Sequence, residues 1–400
     1  MKNYSLKSIF RLFGLISLVT FAHTAKAQLY FSGYIKDLQT GYCLNHPVST
    51  SENTELKSTG YQMIHNRLNL EWQATEGLHF ATSVRNRWLW GPMIKVIPDY
   101  AQQFANDKGL IDLSYNVYTR DNHFLNTALD RLYVDYTYQK LQLTIGRQRI
   151  NWGINTVWNP NDIFNAYSYF DFDYEERPGS DAILFTWYTS SYSNLDLVAQ
   201  AAPDHQSTFA ARYRFNVGSY DWQIIGGKFY DDFVLGGGWS GIIGDVAFTG
   251  EGSFFCPSDR NQTAEQEEAI VVSLSFNYTF SQSLTIQFSS LYNSTGTSHK
   301  GQSLSLLDPS YEMDAKHLSI GRYELYGNVS YPFNPIFSGA FSAMVNPTDG
   351  SCYLGPTTTL SLANNVDLML LAQLMLGTEG SEYGAMGGIY AGFARLRWNF

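Results

Sequence analysis

Ten arginines carry the most pointed chemistry in this sequence. Arg85/Arg87, Arg147/Arg149, Arg212/Arg214 and Arg395/Arg397 are each two residues apart, and Arg67 and Arg131 stand alone. A spacing of two puts both side chains on one face of an extended strand. The opposite faces carry Val84, Asn86, Trp88 and Trp90, or Ala211, Tyr213 and Phe215. A guanidinium is always charged and offers a fork of five donors, so a wall of such pairs can attract and pass anions. The plainer alternative is that these arginines are neutralised by acids on the same wall, with Glu71 and Asp135 as the available partners.

The segment 151–180 is the acidic counterpart. It opens on a turn signal, Asn159-Pro160-Asn161-Asp162. Phe170, Phe172 and Tyr174 then alternate with Asp171, Asp173 and Glu175, so an extended chain has an aromatic edge and an acidic edge. Asp162, Asp171, Asp173, Glu175 and Glu176 are the acids able to face the arginines. Trp152, Trp158, Tyr167, Tyr169 and Phe170 present rings on which a sugar can stack. Clustered carboxylates also suit a hard cation, but their spacing matches no calcium loop, so no metal or cofactor is expected.

Catalytic and redox chemistry find little support. His65 and His79 fall on the arginine-bearing side of their strands, yet no serine stands out as a partner and no Gly-x-Ser-x-Gly elbow occurs. Cys43, Cys256 and Cys352 lie far apart without close histidine spacing, which argues against zinc. One disulfide among them is allowed in an oxidising compartment, with the pair left open and one thiol over. The formal charge is −10, with no lysine-rich stripe, which argues against nucleic acid as a partner.

These side chains need elements to hold them. In the last ten residues Gly392, Ala394, Leu396, Trp398 and Phe400 share one face, and Arg395 and Arg397 the other. Such a strand needs lipid on one side and water on the other. Trp398 and the terminal Phe400 resemble the signal by which bacterial outer-membrane barrels are recognised for assembly, which implies the barrel-assembly machinery as a partner. At the other end, Lys2, Lys7 and Arg11 precede the apolar stretch Leu12–Ala22 and the A-x-A site Ala25-Lys26-Ala27. That pattern predicts a signal peptide over 1–27, cleaved before Gln28. Its loss removes four basic residues and makes the rest more acidic still. No later apolar run reaches the roughly 20 residues of a spanning helix. Aromatics make up 16% of the chain, as suits interfacial girdles.

Alternation between turn signals predicts strands near 29–38, 61–73, 78–90, 128–138, 141–150, 181–190, 193–201, 208–217 and 220–230. The series continues near 231–239, 242–250, 269–280, 283–293, 316–330, 335–345, 353–362, 365–376 and 388–400. This is an all-β chain: a single transmembrane antiparallel barrel over 28–400 of about 18 strands. Sixteen is the alternative count, because the Gly-rich stretch 226–244 is hard to divide. Short turns such as Gln139-Lys140 and Ser281-Gln282 alternate with long connections at 39–60, 91–127, 151–180, 251–268, 294–315 and 377–387. Short periplasmic turns and long extracellular loops have that parity.

Arginine on the lipid face would cost about 2–4 kcal/mol at the midplane, so the ten arginines are expected to face the lumen. Strict alternation conflicts with this in 141–150, where Leu143 and Ile145 share a face with Arg147, and again at Leu318, Ile320 and Arg322. Both stretches read Ile-Gly-Arg, which predicts bulges at Gly146 and Gly321.

By order in the chain, 151–180 is the third extracellular loop. It resembles the third loop of general porins, which folds into the barrel and sets the constriction opposite wall arginines. Gly146-Arg147-Gln148, Trp152-Gly153 and Asn159-Pro160 also resemble a short motif of porin-like barrels of Gram-negative bacteria. The resemblance implies an outer-membrane, porin-like channel for passive diffusion of small hydrophilic solutes, with membrane lipid around it. Trimers are common among general porins, although no residue here marks a protomer interface. Strand pattern begins at Leu29, which leaves no plug domain of the kind an energy-coupled transporter carries. A structural or assembly barrel with a closed lumen (for secretion, gliding or adhesion) is the alternative. A barrel enzyme is the weakest reading.

Overall fold

The computed structural model describes residues 28–49, 55–107, 109–173, 175–203, 207–258, 267–297 and 313–400. The expected signal segment, 1–27, lies outside them. The strands are β1 (Gln28–Ser49), β2 (Glu55–Thr59), β3 (Gln62–Gln73), β4 (Leu78–Trp90), β5 (Ser114–Arg120), β6 (His123–Tyr138) and β7 (Leu141–Gln148). They continue as β8 (Ser180–Ser190), β9 (Ser193–Gln200), β10 (Thr208–Val217), β11 (Tyr220–Phe229), β12 (Asp232–Ile243), β13 (Val246–Pro257) and β14 (Ala269–Thr279). The last are β15 (Thr285–Asn293), β16 (Tyr323–Asn334), β17 (Phe337–Val345), β18 (Cys352–Ala363), β19 (Val366–Leu376) and β20 (Ile389–Asn399).

All belong to one sheet of 20 strands, and β20 pairs antiparallel with both β19 and β1 to close it into an 18-strand barrel. The two extra strands sit at the long-loop rim. β2 continues β3 beyond a break at Gly60-Tyr61 and pairs with the upper end of β1. β5 folds back on β6 as a hairpin, beyond the point where β7 ends. Every expected strand has a counterpart, so eighteen rather than sixteen is the count.

The differences have local causes. The stretch 39–60 is mostly strand, because the upper part of β1 runs beside β20 to the Leu44–Ile389 pair. In the Gly-rich wall the turn falls at Gly244-Asp245, with Gly244 at φ +62°, instead of near 240. Glycines carry no polarity, so alternation there gave no boundary. β16 starts at Tyr323, so Leu318 and Ile320 lie outside any strand and no bulge is needed at Gly321. Gly146 has φ +119°, yet β7 stays in step with β6 and β8 on both sides. The bulge lies one strand away, at Asp130 of β6, where Ser83 pairs with Arg131 and Val84 with Leu129. It turns Asp130 and Arg131 to the same side.

The outer face is apolar, with aromatic girdles near both ends. Trp72 stacks on Phe80 at 5.1 Å toward the short-turn rim, and Trp88 lies 5.3 Å from Trp90 toward the long-loop rim. The inner face carries buried polar groups, among them Arg67, Glu251, Ser273, Ser275 and Ser289. At the seam, Gly33 and Phe400 exchange two backbone hydrogen bonds of 3.0 Å, and the Phe400 ring covers Gly33. Cys43, Cys256 and Cys352 sit on β1, β13 and β18 near the long-loop rim and are all free, so the allowed disulfide does not form.

Candidate functional site

The site is the meeting of the segment 151–180 with the inner wall. β7 ends at Gln148 and β8 begins at Ser180, and the residues between them touch inward-facing groups on strand after strand. The Trp152 carbonyl accepts a 2.7 Å bond from Gln223 of β11, and Trp152 packs under the Arg212 guanidinium of β10. The Asn155 amide donates to Glu251 of β13 at 3.0 Å, and its side chain donates to Ser273 of β14 at 2.8 Å. Asn161 donates to the Gly237 carbonyl of β12 at 2.9 Å. The Tyr169 hydroxyl lies 3.2 Å from that of Tyr326 of β16, and the Phe170 ring 5.0 Å from that of Tyr353 of β18. Phe172 meets Phe393 of β20 edge-on at 4.7 Å.

The acidic edge then reaches the first strands. Lys36 of β1 lies 2.9 Å from Asp173, and His65 of β3 lies 3.4 Å from it. Arg395 approaches Glu175 to 2.8 Å, and Arg397 binds its other oxygen. Tyr34 donates to Glu176, and Arg131 donates to the carbonyls of Glu176 and Arg177. Of the clustered acids Asp171, Asp173, Glu175 and Glu176, the last three therefore take separate partners, and Asp171 is exposed.

Local charge sets the protonation of these loop acids. Burial alone would raise Asp173, but the His65 hydrogen bond and the Lys36 charge hold it at about 2. Burial likewise works against Glu175, and Arg395 and Arg397 outweigh it and lower its pKa. Asp162 is different: burial pushes it up to about 7, against the opposing charges of Arg149 and Arg212.

The arginines separate into engaged and open groups. Arg67 and Arg85 both grip Asp130, the latter at 3.2 Å. Arg87 donates to Asn126 at 2.7 Å and stacks over Phe104 at 4.0 Å, above which two short helices, Met93–Val96 and Tyr100–Phe104, cover the wall. Arg147 is bracketed by Asp107 at 2.6 Å and Asp181 at 2.7 Å and ties segment 105–113 to the wall. Arg212 binds Asp196 at 2.6 Å. Arg149 and Arg214 are exposed. The anticipated partners are corrected: Glu71 lies beside His79 and Asp135 accepts from Gln142 and Thr144, while Asp107, Asp130, Asp181 and Asp196 take the arginines. Sequence reasoning missed Lys36, although its parity with Tyr34 and Leu38 placed it inward. It could not find Asp130, which a bulge turns in.

The rings considered for sugar stacking are mostly consumed by packing. Trp152 meets Phe164 edge-on at 4.9 Å, and Trp158 meets Tyr326 at 6.4 Å, both buried. Tyr169 and Phe170 lie against Tyr353, and Tyr167 is covered by the Arg177 guanidinium at 3.4 Å.

Two cavities lie on either side of this loop. One of about 440 Å³, toward the long-loop rim, is lined by Arg85, Arg87, Phe104, Phe164 and Tyr230. One of about 550 Å³, toward the short-turn rim, is lined by Asn151, Ile154, Arg212, Arg214 and Asp221.

No protein-family model and no curated protein sequence matches the chain. Solved structures do. The chain is similar to OccAB4 of Acinetobacter baumannii, with a TM-score of 0.58 and 8% identity over 93% of this chain and 98% of that one. OccK5 (OpdH) of Pseudomonas aeruginosa gives 0.57 and 8%, over 92% and 98%. The outer-membrane protein OprD of Pseudomonas aeruginosa gives 0.53 and 8%, over 94% and 96%. At that identity the likeness speaks for the fold, a porin-like outer-membrane β-barrel.

Proposed function

We propose that this chain is an outer-membrane channel for passive diffusion of small hydrophilic solutes, with the loop 151–180 forming its narrow zone and the strand arginines lining the path. One observation carries the reading: a single loop touches inward-facing residues on β10 to β14, on β16 and β18, and on β20, β1 and β3. A loop anchored on opposite sides of a barrel crosses its lumen, and what passes must pass beside it. An 18-strand barrel is too wide for wall side chains alone to fill.

In this reading a solute enters the upper cavity beside Arg85 and Arg87, skirts the loop, and leaves through the lower cavity beside Arg212 and Arg214. Exposed Arg149 and Arg214 draw anions, and exposed Asp171 opposes them. Trp398 and Phe400 serve the barrel-assembly machinery as a recognition signal.

The test is single-channel current in a planar bilayer under a salt gradient. Anion-selective open steps are expected, weakened by Arg85→Ala with Arg87→Ala. Cation-selective steps would transfer control to the loop acids. Silence from protein shown to be folded would overturn the channel reading in favour of a structural or assembly barrel.

A further inference from the structure

We propose that Glu324 and Glu382 share a single proton, and that this pair is a pH-operated catch holding three connections of the long-loop rim over the upper cavity. The site is the second Ile-Gly-Arg stretch, at Gly321, just before β16. Glu382, between β19 and β20, sends its carboxylate across to that stretch. Its Oε1 accepts from Ser319 Oγ at 3.1 Å and from the Ile320 amide at 3.2 Å. Its Oε2 accepts from the Gly321 amide at 3.0 Å and from Asn346 Nδ2 at 2.9 Å. Asp349, between β17 and β18, accepts from the Glu382 amide at 2.7 Å and from the Ser351 amide and hydroxyl at 2.8 and 2.6 Å. Three connections thus meet at one carboxylate.

Glu324 supplies the independent observation. It is the second residue of β16, faces inward and is 0% exposed. Its Oε2 accepts from the Tyr383 hydroxyl at 2.8 Å, while its Oε1 is buried without a hydrogen-bond partner. That oxygen is a neighbour of Glu382: a Cβ on Gly321 would meet Glu382 Oε2 at 2.5 Å and Glu324 Oε1 at 2.8 Å. Two carboxylate oxygens set side by side with no donor between them repel. A proton on Glu324 Oε1 makes that atom a donor to Glu382 Oε2 and satisfies the whole knot. The other titratable groups facing the pair are Asp349 and Tyr383, and neither brings positive charge. Arg322 turns away to the Gly296 carbonyl at 3.3 Å, and Lys316 reaches Asp232 of β12 at 2.8 Å. Among the described residues no lysine or arginine pairs with Glu324, Asp349 or Glu382.

What the catch holds lies on the path of a solute. Ala315 and Leu318 are buried, and Asn293 of β15 donates to the Lys316 carbonyl at 3.1 Å, so this segment runs inside the rim from β15 to β12. Met313, Leu318 and Tyr383 gather with Trp158 and Phe170 of the loop 151–180. Met313, Asp314 and Ala315 line the upper cavity. The sign follows from the shared proton. At low pH the knot is complete and the segment is held down. When the proton leaves, two like charges stand against each other in a buried site, the segment loosens, and the mouth widens. Tyr292 and Tyr323, 5.4 Å apart, mark the aromatic girdle at this level, so the pair lies at the rim and reads the pH on the long-loop side.

The catch rests on the fold alone, and its effect on current rests on the channel reading above, so the two are measured separately. The first experiment is amide hydrogen exchange of the full barrel in mild detergent from about pH 5 to about pH 9, corrected for the intrinsic pH dependence of exchange. Wild-type protection at Ile320 and Gly321 should fall roughly tenfold or more across that range. Glu324→Gln should keep its protection throughout, because the carboxamide donates to Glu382 at any pH and still accepts from Tyr383. Strand content and heat-dependent gel migration confirm that both are folded. In a planar bilayer, wild-type conductance should rise with pH on the long-loop side alone, and that of Glu324→Gln should stay low. Wild-type protection that ignores pH, or an equal fall in Glu324→Gln, would overturn the catch. Protection lost on chelation with EDTA at constant pH would put a cation between the oxygens and overturn it too. A silent pore whose protection still follows pH in the wild type alone would support the catch and remove the channel reading.

Discussion

Lys36 Nζ lies 2.9 Å from Asp173 Oδ1, so a lysine on the first strand grips a loop residue 137 positions later. The lysine is 1% exposed and donates to the Asp173 carbonyl as well, at 2.6 Å. A buried lysine and a partly buried aspartate clamp the acidic edge of the loop at the place where β1 meets β3 and β20.

Breaking that clamp on one side leaves the other charge poorly compensated. Lys36→Met is expected to cost about 3 kcal/mol, the low end for a broken buried pair because His65 and Arg395 stay near Asp173. Denaturant unfolding in micelles measures it. The double variant Lys36→Met/Asp173→Asn should recover most of the loss, and single-channel conductance should rise in both.

Glu175 neutralises two wall arginines while remaining 43% exposed. Glu175→Gln should therefore change stability by less than about 1 kcal/mol. It should release positive charge into the lumen, shifting the reversal potential further toward anions. An unchanged potential would mean that Arg395 and Arg397 do not face the permeation path.

Asp162 supplies a pH dependence with a definite sign. Its folded pKa, about 7, lies above the ordinary aspartate value of about 3.9. The folded state therefore holds the extra proton between those values, and stability falls as pH rises toward and through about 7. The melting temperature of the wild type should drop between about pH 4 and pH 7 and level off above that, and Asp162→Asn should flatten that slope.

Gly146 is required by its backbone. At φ +119° its Cβ would sit 2.2 Å from the Leu132 carbonyl oxygen. Gly146→Ala should cost about 2 kcal/mol or more. Gly226→Ala is the control, since a Cβ there meets nothing within 4 Å, and it should stay within about 0.5 kcal/mol of wild type. Thermal melts of the two variants side by side decide the point.

Much of this architecture was legible in the residues. A strand between lipid and water must alternate, so each hairpin announced itself: Phe80, Val84 and Trp88 outward, with Arg85 and Arg87 inward. The parity of loop lengths then gave the orientation of the rims and marked out 151–180. The signal faded where alternation had nothing to act on, as in the glycines of β11 to β13, whose turn was misplaced. It also failed at Asp130, where one inserted residue reverses the faces of a strand.

By itself the sequence determined which side chains share a strand face, because that depends only on neighbours two residues apart. Tertiary structure decided which charges meet. Closure sets β20 against β1 and brings loop 151–180 across to Lys36, Arg395 and Arg397, contacts set by the circumference of the barrel and not by spacing along the chain. For the same reason Glu324, Asp349 and Glu382 read singly as scattered acids, and become one cluster only when the closed barrel brings three connections together.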